Sequence, residues 1–202
     1  MKALVVRQPW ATLIALGVKS IETRPAPPNG PMRPDGVRGL PGLAVERGER
    51  IAIVAGATPP EVGLRLGVDA PITTSEFLVT EGWRLLDLCN EEAHPLPLGA
   101  VVCTVVVDDA LPICGGEDGG DLLNTAEAMG RNLTAGGGLW LDRWPDEDHG
   151  HRTSMPDQLP LGDFTPGRWG WVLTDPRPCE PVPCKGRQGV FALPDDVAGA
   201  IR

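Results

Sequence analysis

The chain has 202 residues, which is enough for one domain with a hydrophobic core that needs neither metal nor disulfides. Its formal net charge of −9 argues against a protein that coats nucleic acid, because neutralising phosphates requires a basic surface. No stretch of about 18 apolar residues occurs, and the N-terminus does not resemble a signal peptide. We therefore expect a cytoplasmic protein without a membrane partner.

Charged residues are unevenly distributed along the chain. Residues 1–52 carry eight basic and four acidic side chains, whereas residues 53–164 carry five basic and nineteen acidic side chains. Residues 165–191 are again basic, with four basic and two acidic side chains. If the two ends of the chain meet in the fold, one face is locally positive on an otherwise acidic protein.

The N-terminal segment predicts a strand, a short helix and a second strand. The first strand is Lys2–Val6, which is apolar and rich in β-branched residues. Pro9 suits the first turn of the helix, and Gly17 supplies the left-handed residue that ends it. The segment "KSIETR" that follows is predicted to be extended, so that Glu22 and Arg24 point to the same side of a strand.

The middle of the chain alternates loops, helices and buried strands. Residues 25–44 are rich in proline and glycine and predict a long loop. A buried strand is expected at Arg50–Ala57, and helices are expected to begin at Thr58 and at about Ser75. Residues 98–113 predict the strongest strand, and because residues 101–107 are apolar on both of its faces, this strand should be central.

The last part of the chain begins with an acidic, glycine-rich insertion at about residues 114–162. Apolar periodicity fails there, apart from one short helix expected near Leu122–Met129. A half-buried strand with Trp169 and Trp171 on one face follows, and then a closing strand. The total of about six strands and two to three helices, without a βαβ repeat, predicts a single α+β domain over residues 1–202 built on a small mixed β-barrel.

No metal or cofactor is expected from the cysteines and histidines. The five cysteines have no CxxC spacing, and in a chain without a secretion signal they are expected to be reduced thiols. His149 and His151 could ligate a metal together with nearby acids, but a solvated polar loop is the simpler interpretation.

Three charged residues within six positions, Lys19, Glu22 and Arg24, form what we call the charge trio. Glu22 and Arg24 on one side of a strand can pair, which would keep the carboxylate ionised and fix its direction. Lys19 would then be a cation available to an anionic or carbonyl-bearing ligand, or to a proton transfer if burial lowers its pKa. The alternative without function is a surface salt bridge worth less than about 1 kcal/mol.

The charge trio lies in a wider pattern that closely resembles the ASCH domain family. The family signature GxKxxExR is matched by Gly17, Lys19, Glu22 and Arg24. The likeness extends to "QPW" before the helix and to the block "PGRWGWVL … KGRQGVF" near the C-terminus. It does not cover the proline- and glycine-rich loop or the acidic insertion.

The resemblance implies a PUA-like β-barrel with a cleft lined by the signature residues, and RNA binding or RNA-linked regulation. Some family members resemble enzymes, among them an amidohydrolase acting on acetylated cytidine and others with ribonuclease activity. In the amidohydrolase, a threonine proposed as nucleophile matches Glu22 and a proposed base matches Lys19. Because this chain has a carboxylate in place of that threonine, the same reaction would need a different mechanism.

We therefore predict an ASCH-type protein that binds RNA or a nucleoside or nucleotide in a cleft on the charge trio. Trp171 is expected in the core, whereas Trp10 and Trp169 could be core residues or stacking platforms for a base. Arg187 is a further candidate for a phosphate contact. The predicted ligand contacts are Gln8, Trp10, Lys19, Glu22, Arg24, Arg168, Trp169 and Lys185.

Two alternatives remain open at this stage. In the first, the protein is a hydrolase of the same fold in which Lys19 and Glu22 are catalytic and Asp108 or Asp109 is a further acid, with divalent-metal dependence undetermined. In the second, the acidic insertion binds a protein partner and the barrel is its scaffold.

Overall fold

The structure, a computed structural model, describes residues 1–28, 43–58, 96–115, 131–135, 139–143, 151–154, 158 and 161–201. Most of the predicted loop at residues 25–44 lies outside these ranges. The helices predicted to begin at Thr58 and Ser75 and the helix near Leu122–Met129 also lie outside them.

The described residues form nine strands and two short helices. The strands are β1 (Lys2–Val6), β2 (Ile21–Arg24), β3 (Glu49–Ala55), β4 (Ala100–Gly115), β5 (Arg131–Ala135), β6 (Leu139–Arg143), β7 (His151–Ser154), β8 (Trp169–Pro183) and β9 (Val190–Ala192). The helices are α1 (Trp10–Ala15) and α2 (Asp195–Ala200). None of the helices in the described part of the chain has the length and apolar character needed to cross a membrane.

Six strands form a mixed sheet that curls into a half-barrel, in the order β9-β1-β3-β4-β8-β2. The pair β1–β3 is parallel, and the other pairs of this sheet are antiparallel. The long strands β4 and β8 pair with three shifts of register, and such bulges bend a sheet and increase its twist. The prediction of a small, barrel-like α+β fold is confirmed at this level.

The main core lies on one face of the sheet, where α1 packs against β3, β4 and β8. Trp171 is fully buried there, as predicted, and its indole N–H donates a hydrogen bond to the carbonyl of Ala26 (3.0 Å). Trp169 shares the same face and packs on the edge of this core. A second apolar cluster on the other face of the sheet includes Phe191 from β9 and Val197 from α2.

The acidic insertion contains regular structure that the sequence pattern did not predict. Strand β5 pairs in parallel with the end of β4, and β6 and β7 extend this small sheet in antiparallel fashion. These strands are only four or five residues long, so hydrophobic alternation has too few positions to be recognised.

The helix α1 begins and ends as its sequence suggests, with one addition. Pro9 occupies the N-cap position and has no side-chain acceptor to offer. Gln8 takes that role, because its Oε1 accepts from the backbone N–H and the hydroxyl of Thr12 (3.1 and 3.0 Å). Gly17 ends the helical region with a positive φ of +74°, which directs the chain into β2.

Replacement of Gly17 by alanine should destabilise the protein by about 1 kcal/mol, because an L-residue is strained at this φ. Space is not the cause, since a Cβ there would meet Pro176 only at an ordinary 3.5 Å. The matched control is Gly199→Ala in α2, where a Cβ meets nothing within 4 Å. We expect it to be neutral or stabilising by up to about 1 kcal/mol. Urea unfolding of both variants checks this, and equal losses would contradict the explanation.

Candidate functional site

A large cavity lies at one edge of the half-barrel, where the ends of four strands lie close together. The parallel strands β1 and β3 finish here, at Val6 and Ala55, beside the start of β4 and the end of β8. Backbone hydrogen bonds tie these ends together, from Gly56 to Val6 (2.9 Å), from Gly99 to Gly56 (3.4 Å) and from Cys184 to Gly99 (2.8 Å). The cavity has a volume of about 1100 Å³, which is large enough for a nucleotide.

The charged side chains that line the cavity are mostly basic. Glu22 is the single acid among its described lining residues, against four basic residues. Two of the basic residues, Arg7 and Arg24, come from the N-terminal segment, and Lys185 and Arg187 come from the C-terminal segment. The two basic ends of the chain do meet in the fold, because β1 pairs with β9 and β2 pairs with β8.

The loop after β8 carries the C-terminal cations along the wall of β1. Lys185 and Arg187 are exposed, and together with the exposed Arg7 we call them the basic rim. Gly186 between them lies so close to β1 that a Cβ would be 2.8 Å from Cγ2 of Val5. Only glycine therefore lets the loop follow β1 this closely.

The wall of the cavity contains a buried carboxylate. Glu22 is only 8% exposed, and each of its oxygens faces one cation. Arg24 Nη2 lies 2.9 Å from Oε1, and Lys19 Nζ lies 3.4 Å from Oε2. The strand alternation that placed Glu22 and Arg24 on one side is thus observed directly, and these bonds fix the direction of the carboxylate.

Lys19 lies behind this carboxylate and is not among the residues that line the cavity. It is 2% exposed, and its ammonium donates to the carbonyls of Ile21 (2.6 Å) and Leu161 (2.5 Å) in addition to its ion pair with Glu22. Burial lowers the pKa of Lys19, and the attraction of the Glu22 carboxylate opposes that change. With three acceptors for its three protons, Lys19 positions Glu22 and has no donor left for a ligand.

Arg24 links the carboxylate to the first strand. Its Nη2 donates to the carbonyl of Val5 (2.7 Å) as well as facing Glu22. Its Nε is buried and has no hydrogen-bond partner among the described residues. The guanidinium therefore joins β2 to β1 across the cavity.

The remaining predicted contacts divide into two groups. Trp10 is half-buried and lines the cavity with one side while it packs against the core with the other. Gln8, Arg168 and Trp169 are not among the residues that line it. Gln8 also donates to the carbonyl of Pro97 (2.9 Å), and Arg168 pairs with Asp163 (3.3 Å), so these side chains connect loops of the fold.

The further acids considered for hydrolysis, Asp108 and Asp109, lie away from the residues that line the cavity. Asp109 lies near Arg47 (3.9 Å), and neither it nor Asp108 lines the cavity. Within the described ranges, no three His, Cys, Asp or Glu side chains are grouped so that they could hold a metal ion. His149 lies outside those ranges.

Four of the five cysteines lie in the described part of the chain. Cys103, Cys114, Cys179 and Cys184 form no disulfide. Burial raises the pKa of Cys103 to about 12, so that this thiol stays protonated at neutral pH.

Sequence reasoning missed Arg7 as a cavity residue. The signal that could have found it is its position directly after β1, because side chains at the carboxyl ends of parallel strands gather at one edge of a sheet. The role of Gly186 could not be found this way, since it depends on the approach of a loop from the other end of the chain.

No model of a known protein family matches the chain, and no curated protein matches it either. The resemblance to ASCH domains therefore rests on the signature residues and their order, and it stays a prediction.

Replacement of Lys19 by methionine should destabilise the protein by about 3–5 kcal/mol, because it leaves a buried carboxylate and two buried carbonyls without their cation. The matched control is Lys2→Met, which removes an ion pair with Glu49 (2.7 Å) whose side chains are 27% and 28% exposed. That loss should be below about 1 kcal/mol. Urea unfolding midpoints at unchanged m-value would measure both, and comparable losses would show that Lys19 is not held as described.

Proposed function

We propose that this protein is an ASCH-type, PUA-like barrel that binds RNA or a nucleotide in the cavity at the strand ends. The observation that carries the proposal is the convergence of four cationic side chains, from both ends of the chain, around a cavity that also holds an oriented carboxylate and an indole. The cations would bind a phosphate, the carboxylate would accept hydrogen bonds from the edge of a base, and the indole would stack on the face of a base.

The basic rim is the part of the cavity suited to phosphate. Arg7, Lys185 and Arg187 are exposed and are therefore accessible to an anion from solvent. The chain carries a formal net charge of −9, so the rim would attract an anionic ligand that the net charge of the protein repels.

The inner wall is suited to a base. Glu22 can accept hydrogen bonds from N–H groups in a direction fixed by Lys19 and Arg24. Trp10 offers an indole face, on which a base can stack for about 1–3 kcal/mol. In this proposal Lys19 is a positioning residue, and Gln8, Arg168 and Trp169 support the loops around the site.

The hydrolase alternative receives less support from the geometry. Lys19 would have to exchange a proton with substrate, yet its ammonium is buried and faces three acceptors of the protein. The alternative in which the acidic insertion binds a protein partner depends mostly on residues outside the described ranges, and it stays a prediction.

The double variant Lys185→Gln/Arg187→Gln should weaken binding of a short single-stranded RNA of mixed sequence about tenfold at low salt. Its plot of log affinity against log salt concentration should become shallower by about 1.4, because two phosphate contacts of a single strand are lost. Fluorescence anisotropy across a salt series measures both quantities.

The control is Arg47→Gln/Arg177→Gln, which removes the same charge from two side chains that are 66% exposed and do not line the cavity. It should leave affinity and salt dependence unchanged. If both double variants weaken binding equally, the interaction follows net charge and the proposed cavity is not the binding site.

Incubation of the protein with acetylcytidine and with unstructured RNA, each with and without a divalent metal, should give no cleavage of amide or phosphodiester bonds. The reason is that the Lys19 ammonium is already bonded to the protein. Chromatography of the products checks this, and turnover that disappears in Glu22→Gln but persists in Glu49→Gln would favour the hydrolase.

A further inference from the structure

We infer that the cavity selects a guanine base, read by the carboxylate of Glu22, over the other bases of RNA. This inference rests on the proposed function and adds the identity of the base to it. The base that can bind is set by the hydrogen-bonding positions of the carboxylate that are left for a ligand.

The carboxylate of Glu22 has acceptor capacity to spare on both oxygens. An ionised carboxylate offers about four lone-pair positions and no donor. Arg24 uses one position on Oε1 and Lys19 faces one on Oε2, and these are the partners of Glu22 within the described ranges. Since the side chain lines the cavity, the unused acceptor positions are available to a ligand there.

Two neighbouring acceptors without a donor select a ligand edge with two neighbouring N–H donors. Guanine presents such an edge in N1–H and its 2-amino group. Adenine and cytosine each place an unprotonated ring nitrogen next to their amino group, and this lone pair would face a carboxylate oxygen. Uracil has one N–H between two carbonyls, so it can form one bond at most and brings oxygens towards the anion.

The other cations of the cavity do not favour a different base edge at Glu22. Arg24 directs its Nη2 to Glu22 and to the carbonyl of Val5, its Nε is buried, and Lys19 is enclosed behind the carboxylate. The remaining cations are the basic rim, whose side chains are exposed and suit a phosphate. Trp10 can stack on a purine without choosing between guanine and adenine. The choice of base therefore falls to Glu22.

The primary test uses the unmodified protein and four mononucleotides, GMP, AMP, CMP and UMP, with IMP as a fifth. IMP has the same ring, N1–H and phosphate as GMP but lacks the 2-amino group. Isothermal titration at one fixed low salt concentration should show GMP binding at least about tenfold tighter than AMP, CMP and UMP. IMP should bind roughly tenfold more weakly than GMP, because it loses one of two charge-assisted hydrogen bonds.

The variant test is Glu22→Gln against Glu49→Gln. The glutamine amide replaces one acceptor by a donor, so GMP affinity should fall about tenfold or more and the ratio of GMP to IMP affinities should approach one. AMP affinity should stay the same or rise, because the amide N–H can donate to the adenine ring nitrogen that faces a carboxylate oxygen in the unmodified protein. Glu49→Gln, which alters an ion pair not lining the cavity, should change none of these values. If Glu22→Gln does not fold, the comparison of GMP with IMP on the unmodified protein still decides the question.

A last arm separates a free nucleotide from RNA as the source of the base. A uridine hexamer with one central guanosine is compared with the plain uridine hexamer, and tighter binding of the guanosine-containing hexamer by about tenfold extends the inference to RNA. Equal affinity of GMP and IMP, or of GMP and AMP, overturns the guanine assignment while leaving nucleotide binding intact. Absence of binding by every nucleotide and RNA overturns the proposed function together with it.

Discussion

A buried ammonium whose three protons all face acceptors holds the candidate site in place. Lys19 bonds to β2 at Ile21, to the distant Leu161 and to the carboxylate of Glu22. Burying a charged lysine is unfavourable unless its ammonium is paired and hydrogen-bonded. Loss of any one of these three partners would leave the buried ammonium incompletely bonded. The carboxylate is consequently held at the cavity wall as an anion of fixed direction. The Lys19 ammonium behind it is buried.

The topology explains how a chain with net negative charge can form a basic cavity. The parallel pairing of β1 and β3 brings their carboxyl ends to one edge of the sheet, and the antiparallel pairing of β8 with β2 and β4 returns the C-terminal segment to the same edge. Basic residues are concentrated in the two segments that meet here, whereas acidic residues are concentrated between them. The basic residues of the two segments are thus brought together around one cavity.

The local sequence pattern predicted some features of the fold correctly and missed others. The difference depends mainly on how far apart in the sequence the interacting residues lie. Strand β1 and the common side of Glu22 and Arg24 depend on neighbours a few residues away, and both were predicted correctly. The enclosure of Lys19 depends on Leu161, which is 142 positions away, so the lysine was predicted to be open to a ligand. Strand β7 was missed for a different reason, because its four residues are too few to show the alternation of a strand.

The charge distribution also fixes how an anionic ligand would lie in the cavity. A phosphate beside Glu22 would be repelled by the carboxylate, because two like charges in contact repel. Lys19 and Arg24 would not offset this repulsion fully, because they are already paired with Glu22. At Lys185 and Arg187 the same phosphate would meet cations exposed to solvent. A nucleotide would therefore enter with its neutral base towards the inner wall and keep its phosphate at the rim. The same polarity explains why the carboxylate is compatible with a basic cavity, because the two charges act on opposite ends of one ligand.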